Sequence, residues 1–348
     1  MKLLSLTGIL MFSWACFSQN TTFTNPLLPM GPDPWMMSKD GVYYYMNTLQ
    51  DRLEIRKTEN PVSLKNAERK VVWKAPENGP NSHAIWAPEI HYLDGKWYIY
   101  FAADDGENKN HRMWVLECDS QNPLSGNWTV KGKLSDPGDH WMIDASILEY
   151  KNKRYLVWSG WEGYENTKQH IFISEMLNPW TLAEFRVKLS SPEAAWELNG
   201  LTPEQAAEKK GVFVNEGPQP LKHGKDLFII FSANGCWTDH YALGYLKLKK
   251  DGDVLKKEDW VKSEKPILVT SRDNDVYAPG HNSFFKSPDG TEDWILYHAN
   301  PNAGDGCGNK RSPRAQIVNW DSNGNPLIGT PLPVFQPIIV PSGVTSSN

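Results

Sequence analysis

Two carboxylates in this chain sit where the backbone has little freedom, and a third opens a matching segment. Asp33 lies in Gly31-Pro-Asp-Pro-Trp35, with a proline on each side to fix the local dihedrals, and Glu216 lies in Asn215-Glu-Gly-Pro218, where Gly and Pro again define a turn. Asp144 opens the segment Asp144-Ala-Ser-Ile-Leu148. Two carboxyl groups whose surroundings push their pKa values apart can hydrolyse a glycosidic bond by acid/base catalysis. In the inverting version one carboxylate activates water and a protonated partner donates to the leaving oxygen, while a third, as a nearby negative charge, raises the pKa of the acid. Singly, each of these residues could instead cap a turn or bond the backbone. Jointly they mark a site, because acids gathered into one buried space cost free energy unless they are paired or working.

Side chains suited to a sugar accompany them. Trp35, Trp86, Trp161 and Trp237 fall near the ends of strand-like runs, and Arg311 and Arg314, in Lys310-Arg-Ser-Pro-Arg-Ala-Gln316, are placed to hold hydroxyls. Each Trp taken alone also reads as packing between strands.

Such groups need a scaffold that points them to one place, and the chain supplies a fivefold repeat. Each unit has a polar residue, a short apolar strand, a turn and an aromatic-rich strand. The units open at Asp33, Glu89, Asp144, Glu216 and His281, spaced 56, 55, 72 and 65 residues apart. Each spacing accommodates a four-stranded blade, and such blades stack radially about a channel. The expected fold is all-β, a five-bladed β-propeller forming one domain over residues 25–340. If every unit opens on its innermost strand, the five leading side chains converge in one axial space, which adds Glu89 to the candidate substrate contacts. The longest gap holds Pro192-Glu-Ala-Ala-Trp-Glu197 and Thr202-Pro-Glu-Gln-Ala-Ala-Glu208, with N-cap, early-proline and acidic first-turn signals. A short helical insertion is therefore expected between the third and fourth blades.

The net charge of −5 over 348 residues is mild and dispersed, so no basic stripe calls for nucleic acid. Residues 1–18 carry one cation, a short apolar run and then small residues, the pattern of a secretory signal peptide. The expected location is periplasmic or extracellular, with no transmembrane segment after signal removal. A second reading takes Ser13-Trp-Ala-Cys16 as a degenerate lipoprotein site, with a lipid anchor at Cys16. Beyond it stand Cys118, Cys236 and Cys307. Cys236 and Cys307 occupy Gly-flanked loops after the second strand of adjacent repeats, which makes them the expected pair in an oxidising compartment, with free buried thiols as the alternative. No zinc-ligand spacing occurs, and a monomer is expected.

Five ordered motifs then carry a family resemblance: Asp33-Pro-Trp35, Trp86-Ala-Pro-Glu-Ile90, Ile143-Asp-Ala-Ser146, Asn215-Glu-Gly-Pro218 and Pro279-Gly-His-Asn-Ser-Phe284. Together they resemble glycoside hydrolase family 43 over about residues 25 to 335. The resemblance implies a five-bladed propeller that inverts the anomeric centre, with Asp33 as general base, Asp144 as pKa modulator and Glu216 as general acid. It also implies that His281 is a channel histidine associated through water with a calcium ion, and that Arg314 contacts sugar hydroxyls. No cofactor is implied for catalysis. Ser82–His91, Arg314-Ala-Gln316 and Gly329-Thr-Pro331 are more similar to exo-acting α-L-arabinofuranosidases than to xylosidases. The implied activity is release of terminal α-L-arabinofuranosyl groups from arabinose-containing oligo- or polysaccharides. A β-D-xylosidase or another furanosidase of the family stays open, as does a non-catalytic sugar-binding propeller, against which the three ordered carboxylates argue.

Overall fold

The computed structural model describes residues 21–199 and 211–345. Its strands form five antiparallel meanders, each opening on one repeat segment. The first runs Trp35–Lys39, Val42–Met46, Arg52–Thr58, Glu68–Lys74, and the second His83–Leu93, Lys96–Asp104, Arg112–Cys118, Thr129–Leu134. The third comprises Met142–Tyr150, Lys153–Gly160, Lys168–Asn178 and Val187–Ser190, with the short strand Thr181–Leu182 beside it. The fourth comprises Phe213–His223, Asp226–Ala233, Ala242–Leu248 and Trp260–Lys262, and the fifth Tyr277–Lys286, Asp293–Asn300, Ser312–Trp320 and Pro326–Leu327. A two-residue parallel pairing, Lys168 with Phe213 and Gln169 with Val214, joins the third and fourth.

Hydrophobic patterning explains the order of strands within a meander. The second strand lies between neighbouring sheets and is apolar on both faces, as in Trp97–Ala103, which is buried throughout. The last strand faces water on its outer side, and Glu68-Arg-Lys70 is exposed accordingly. Two-residue turns close the first two hairpins, with both residues of Asp40-Gly41 and Asp94-Gly95 at positive φ, the twist that suits right-handed strands.

The first strand of each meander touches the first strand of the next, and the fifth touches the first, so these five strands form a closed ring. Five apolar clusters fill the gaps between neighbours; Tyr100 with Trp158 lies between the second and third, and Phe228 with Ile295 between the fourth and fifth. The chain ends are tied across the closure: Thr22–Phe23 pairs with Ile338–Ile339, and the Leu27 N–H donates to the Pro313 carbonyl at 2.8 Å.

Among the described residues the expected helical insertion is not present as such. Its first half is a single 3-10 turn, Ala195–Leu198, because the buried Glu197 carboxylate folds back onto the Glu193 and Ala194 N–H groups and also takes Lys262 and Asn215. Its second half, Thr202–Glu208, lies outside the described residues, as do residues 1–18, where a signal peptide is expected, and with them Cys16. Cys236 and Cys307 form a disulfide, and Cys118 is a buried free thiol. Among the described residues, no helix is long and apolar enough to cross a membrane.

Candidate active site

The inner strands are irregular where their leading residues stand. The ladder slips between Ile143 and Ser146, between Glu216 and Gln219, and between Gly280 and Ser283. Within these bulges Asp144 has φ 56°, Gly217 φ 55° and His281 φ 46°, and Asp33, between its prolines, has φ 55°. Left-handed backbone at a non-glycine residue costs ~1–3 kcal/mol and persists only when its surroundings enforce it. A bulge re-aims a side chain. Here the result is that Asp33, Asp144, Glu216 and His281 all face one cavity of about 310 Å³, which Trp86, Arg311 and Trp237 also line.

Asp33 is enclosed by donors. Arg311 Nη1 lies 2.9 Å from its Oδ1, and the Thr48 hydroxyl donates to Oδ2 at 2.7 Å. Its own N–H donates to His298 Nδ1 at 3.0 Å, which leaves the proton of that neutral imidazole on Nε2. Burial by itself would raise the pKa of Asp33, but Arg311, then His281 and His298, and the Thr48 hydroxyl outweigh it and hold the carboxyl well below the usual range.

Glu216 behaves in the opposite way. Burial, with the charge of Asp33 adding to it, pushes its pKa up to about 7, against the opposing bond from the Tyr241 hydroxyl, which donates to Oε1 at 2.7 Å, and against Arg311. Asp144 is also raised well above the ordinary carboxylate value, by burial first and then by repulsion from Glu216 and Asp33. The Gly217 N–H, donating to Asp144 Oδ2 at 3.1 Å, favours the charged form. Asp144 and Glu216 therefore resist being ionised together, while the donors around Asp33 favour its charged form. That splitting is what acid/base hydrolysis requires.

The family model described as "Glycosyl hydrolases family 43" matches residues 23–326. The chain belongs to that family. An extracellular exo-alpha-(1->5)-L-arabinofuranosidase of Streptomyces avermitilis is 36% identical over 325 residues, covering 90% of this chain and 65% of its own length. Alpha-L-arabinofuranosidase 43 of Humicola insolens is 33% identical over 333 residues, with 92% and 66% covered. The chain thus spans about two thirds of the length of these two relatives. The alpha-L-arabinofuranosidase structure from Lactobacillus brevis superposes with a TM-score of 0.82 at 34% identity, covering 90% of this chain and 98% of that one.

Not every residue expected at this family 43 site reaches the cavity. Glu89 is buried beneath it, bonded to His91 Nε2 at 2.9 Å and to the Gln219 amide, and burial raises its pKa. Trp161 stacks on Trp141 with centroids 4.8 Å apart and planes 8° apart, as part of a core cluster. Arg314 is fully buried; its Nη2 lies 3.5 Å from the Asn300 carbonyl, and Arg311 is the guanidinium that meets Asp33. Trp86 does line the cavity, stacked on His111 at 4.1 Å and donating from Nε1 to Gln50 at 2.9 Å.

His281 Nδ1 stands 3.4 Å from Asp33 Oδ1, and burial lowers its pKa. Among the described residues there is no group of three or more His, Cys, Asp or Glu able to hold a metal ion. Calcium takes six to eight oxygens. The carboxylate beside His281 is already taken by a guanidinium, so these residues do not form a cage for that ion.

Thr48, Tyr241 and His298 were not singled out from sequence. They stand after or at the far ends of second strands, or at the start of a third, and reach the acids only through the stacking of sheets. His298 left one trace, an imidazole inside the apolar run Trp294-Ile-Leu-Tyr-His298.

Proposed function

We propose that this chain is an inverting, exo-acting α-L-arabinofuranosidase built as a five-bladed β-propeller, cleaving terminal arabinofuranosyl groups from arabinose-containing oligo- or polysaccharides. The closed ring of five inner strands supports the propeller reading. One observation carries the chemistry: a single cavity holds one carboxyl kept ionised, Asp33, and a second held near neutrality, Glu216. The sugar assignment rests on the relatives named above, and export rests on two relatives named extracellular together with the leader pattern.

In this reading Asp33 is the general base. With Oδ1 on Arg311 and Oδ2 on Thr48, its remaining lone pairs orient and deprotonate a water for attack at the anomeric carbon. Glu216 is the general acid and gives its proton to the glycosidic oxygen as that bond breaks. Asp144 is the modulator: its carboxyl and that of Glu216 disfavour being charged together, so that when the Gly217 N–H holds a charge on Asp144 the proton stays on Glu216. Trp86 and Arg311 form walls against which the furanose is held. No step passes through a metal; a calcium ion near His281 would have to keep its own water shell.

Proton NMR during the first minutes of hydrolysis of an α-1,5-linked arabinotriose tests this. The expected first product is β-L-arabinofuranose, before mutarotation; the α-anomer appearing first overturns the inverting roles.

A further inference from the structure

The cavity has a wall that the acid/base chemistry does not use. The Cys236–Cys307 disulfide lines it, joining the loop after Ala233 in the fourth meander to the loop after Asn300 in the fifth. Next to the cystine stands Trp237, a cavity-lining residue that remains 37% exposed. An aromatic ring in the lining of a cavity that also holds convergent polar groups is a candidate contact for the ligand.

This indole is held in place. It lies flat enough on Gly235 that a Cβ there would come within 2.1 Å of its ring, so the glycine is the seat on which it rests. The Thr238 N–H and hydroxyl both bond the Gly235 carbonyl, at 3.0 and 3.3 Å, closing a tight turn around the ring. Across the disulfide the Gly304 N–H donates to Asp239 at 2.9 Å and the Asn300 amide to the Gly306 carbonyl at 2.9 Å, so both loops are braced. Among the described residues nothing accepts from the Trp237 Nε1. A rigid apolar face with a spare donor at its edge suits one ring of a sugar.

Its position assigns which sugar. The Trp237 loop starts where the Asn234 N–H bonds the Val214 carbonyl, two residues before Glu216, and ends at Tyr241, whose hydroxyl holds Glu216. The ring is thus carried by the segment that also fixes the proposed acid, and the acid is the group that faces the leaving oxygen. We infer that Trp237, pinned by the Cys236–Cys307 cystine, is the platform for the sugar unit on the leaving-group side of the scissile bond. The inference rests on the hydrolase reading above and adds a specificity residue to it.

The test compares arabinotriose, whose leaving group is a disaccharide, with methyl α-L-arabinofuranoside, whose leaving group is methanol. For Trp237→Ala the ratio of kcat/KM on the triose to that on the methyl glycoside should fall about tenfold, mainly through KM, with Trp237→Phe in between. The Cys236→Ser/Cys307→Ser double variant should lower the same ratio by a smaller factor, because the ring is then present but less fixed. Equal losses on both substrates, which leave the ratio unchanged, would mean that the loop acts only by positioning Glu216, and no loss on either substrate would mean that Trp237 touches no leaving group; either overturns the inference. Failure of the two readings is separable: inactivity of the wild type on both arabinofuranosides refutes the sugar assignment, and the same ratio taken with xylotriose and methyl β-D-xyloside then decides the platform.

Discussion

Tyr241→Phe isolates one contact of the proposed acid. The hydroxyl donates to Glu216 Oε1 at 2.7 Å, and its own pKa is raised well above 10 by burial first and by Glu216 second, so it remains a donor throughout the working range. A hydrogen bond to a charged group contributes ~1.5–3 kcal/mol and one to a neutral group ~0.5–1.5 kcal/mol. The bond therefore favours ionised over protonated Glu216 by ~1.4 kcal/mol, which is about one pKa unit. The sign follows directly: the wild-type bond lowers the pKa of Glu216, and its loss leaves the acid protonated to higher pH. From a starting value of about 7, the alkaline limb of kcat/KM should move to about 8. The assay is kcat/KM on arabinotriose from about pH 5 to about pH 9.5, with circular dichroism to confirm that the fully buried ring still packs. A limb that stays in place or moves to lower pH refutes the reasoning, because Glu216 would then not be the group whose ionisation ends activity.

The other carboxylate predictions separate roles by substrate and by direction. Glu216→Ala should lose at least about a hundredfold more activity on arabinotriose than on a nitrophenyl arabinofuranoside, since a phenolate leaves without a proton and an alkoxide does not; equal losses on the two substrates would remove its role as acid. Asp33→Ala should be inactive on both, and near-normal turnover on either would exclude Asp33 as the base. Asp144→Asn should keep the fold and KM but lower kcat and shift the alkaline limb down by roughly one unit, opposite in sign to Tyr241→Phe, because the charge that repels an ionised Glu216 is gone. An upward shift in that variant would contradict the assignment of Asp144.

Much of this protein was legible in its residues. The fivefold spacing from Asp33 to His281 determined the number of meanders, since period-two apolar patterning and two-residue turns are local properties that each repeat writes out in full. Glycine and proline flanks marked Asp33 and Glu216, whereas Asp144, left-handed between Ile143 and Ala145, was marked only by opening a repeat. The Gly-flanked Cys236 and Cys307 were paired correctly from their equivalent places in adjacent repeats. The helical signals around Pro192 misled, because propensity cannot register that Glu197 is drawn into ion pairing with Lys262, a residue 65 positions away.

What only the tertiary structure decided is which leading residues reach the cavity and which way the pKa of each is pushed. Asp144 stands inside the slip between Ile143 and Ser146 and lines the cavity, whereas in the second meander Ala87 takes that place and Glu89, the first paired residue after the slip, is buried against Gln219. The choice of Arg311 over Arg314 follows from strand alternation: Arg314 lies within the strand Ser312–Trp320 and is buried between sheets, whereas Arg311 stands just before it and meets Asp33. The pKa split arises from burial and from Arg311, His281, His298 and Thr48, contributed by strands far apart in the chain, with the Tyr241 bond working against it. Electrostatics in a buried site depend on distance and on exclusion of water, and neither is a property of any local stretch of sequence.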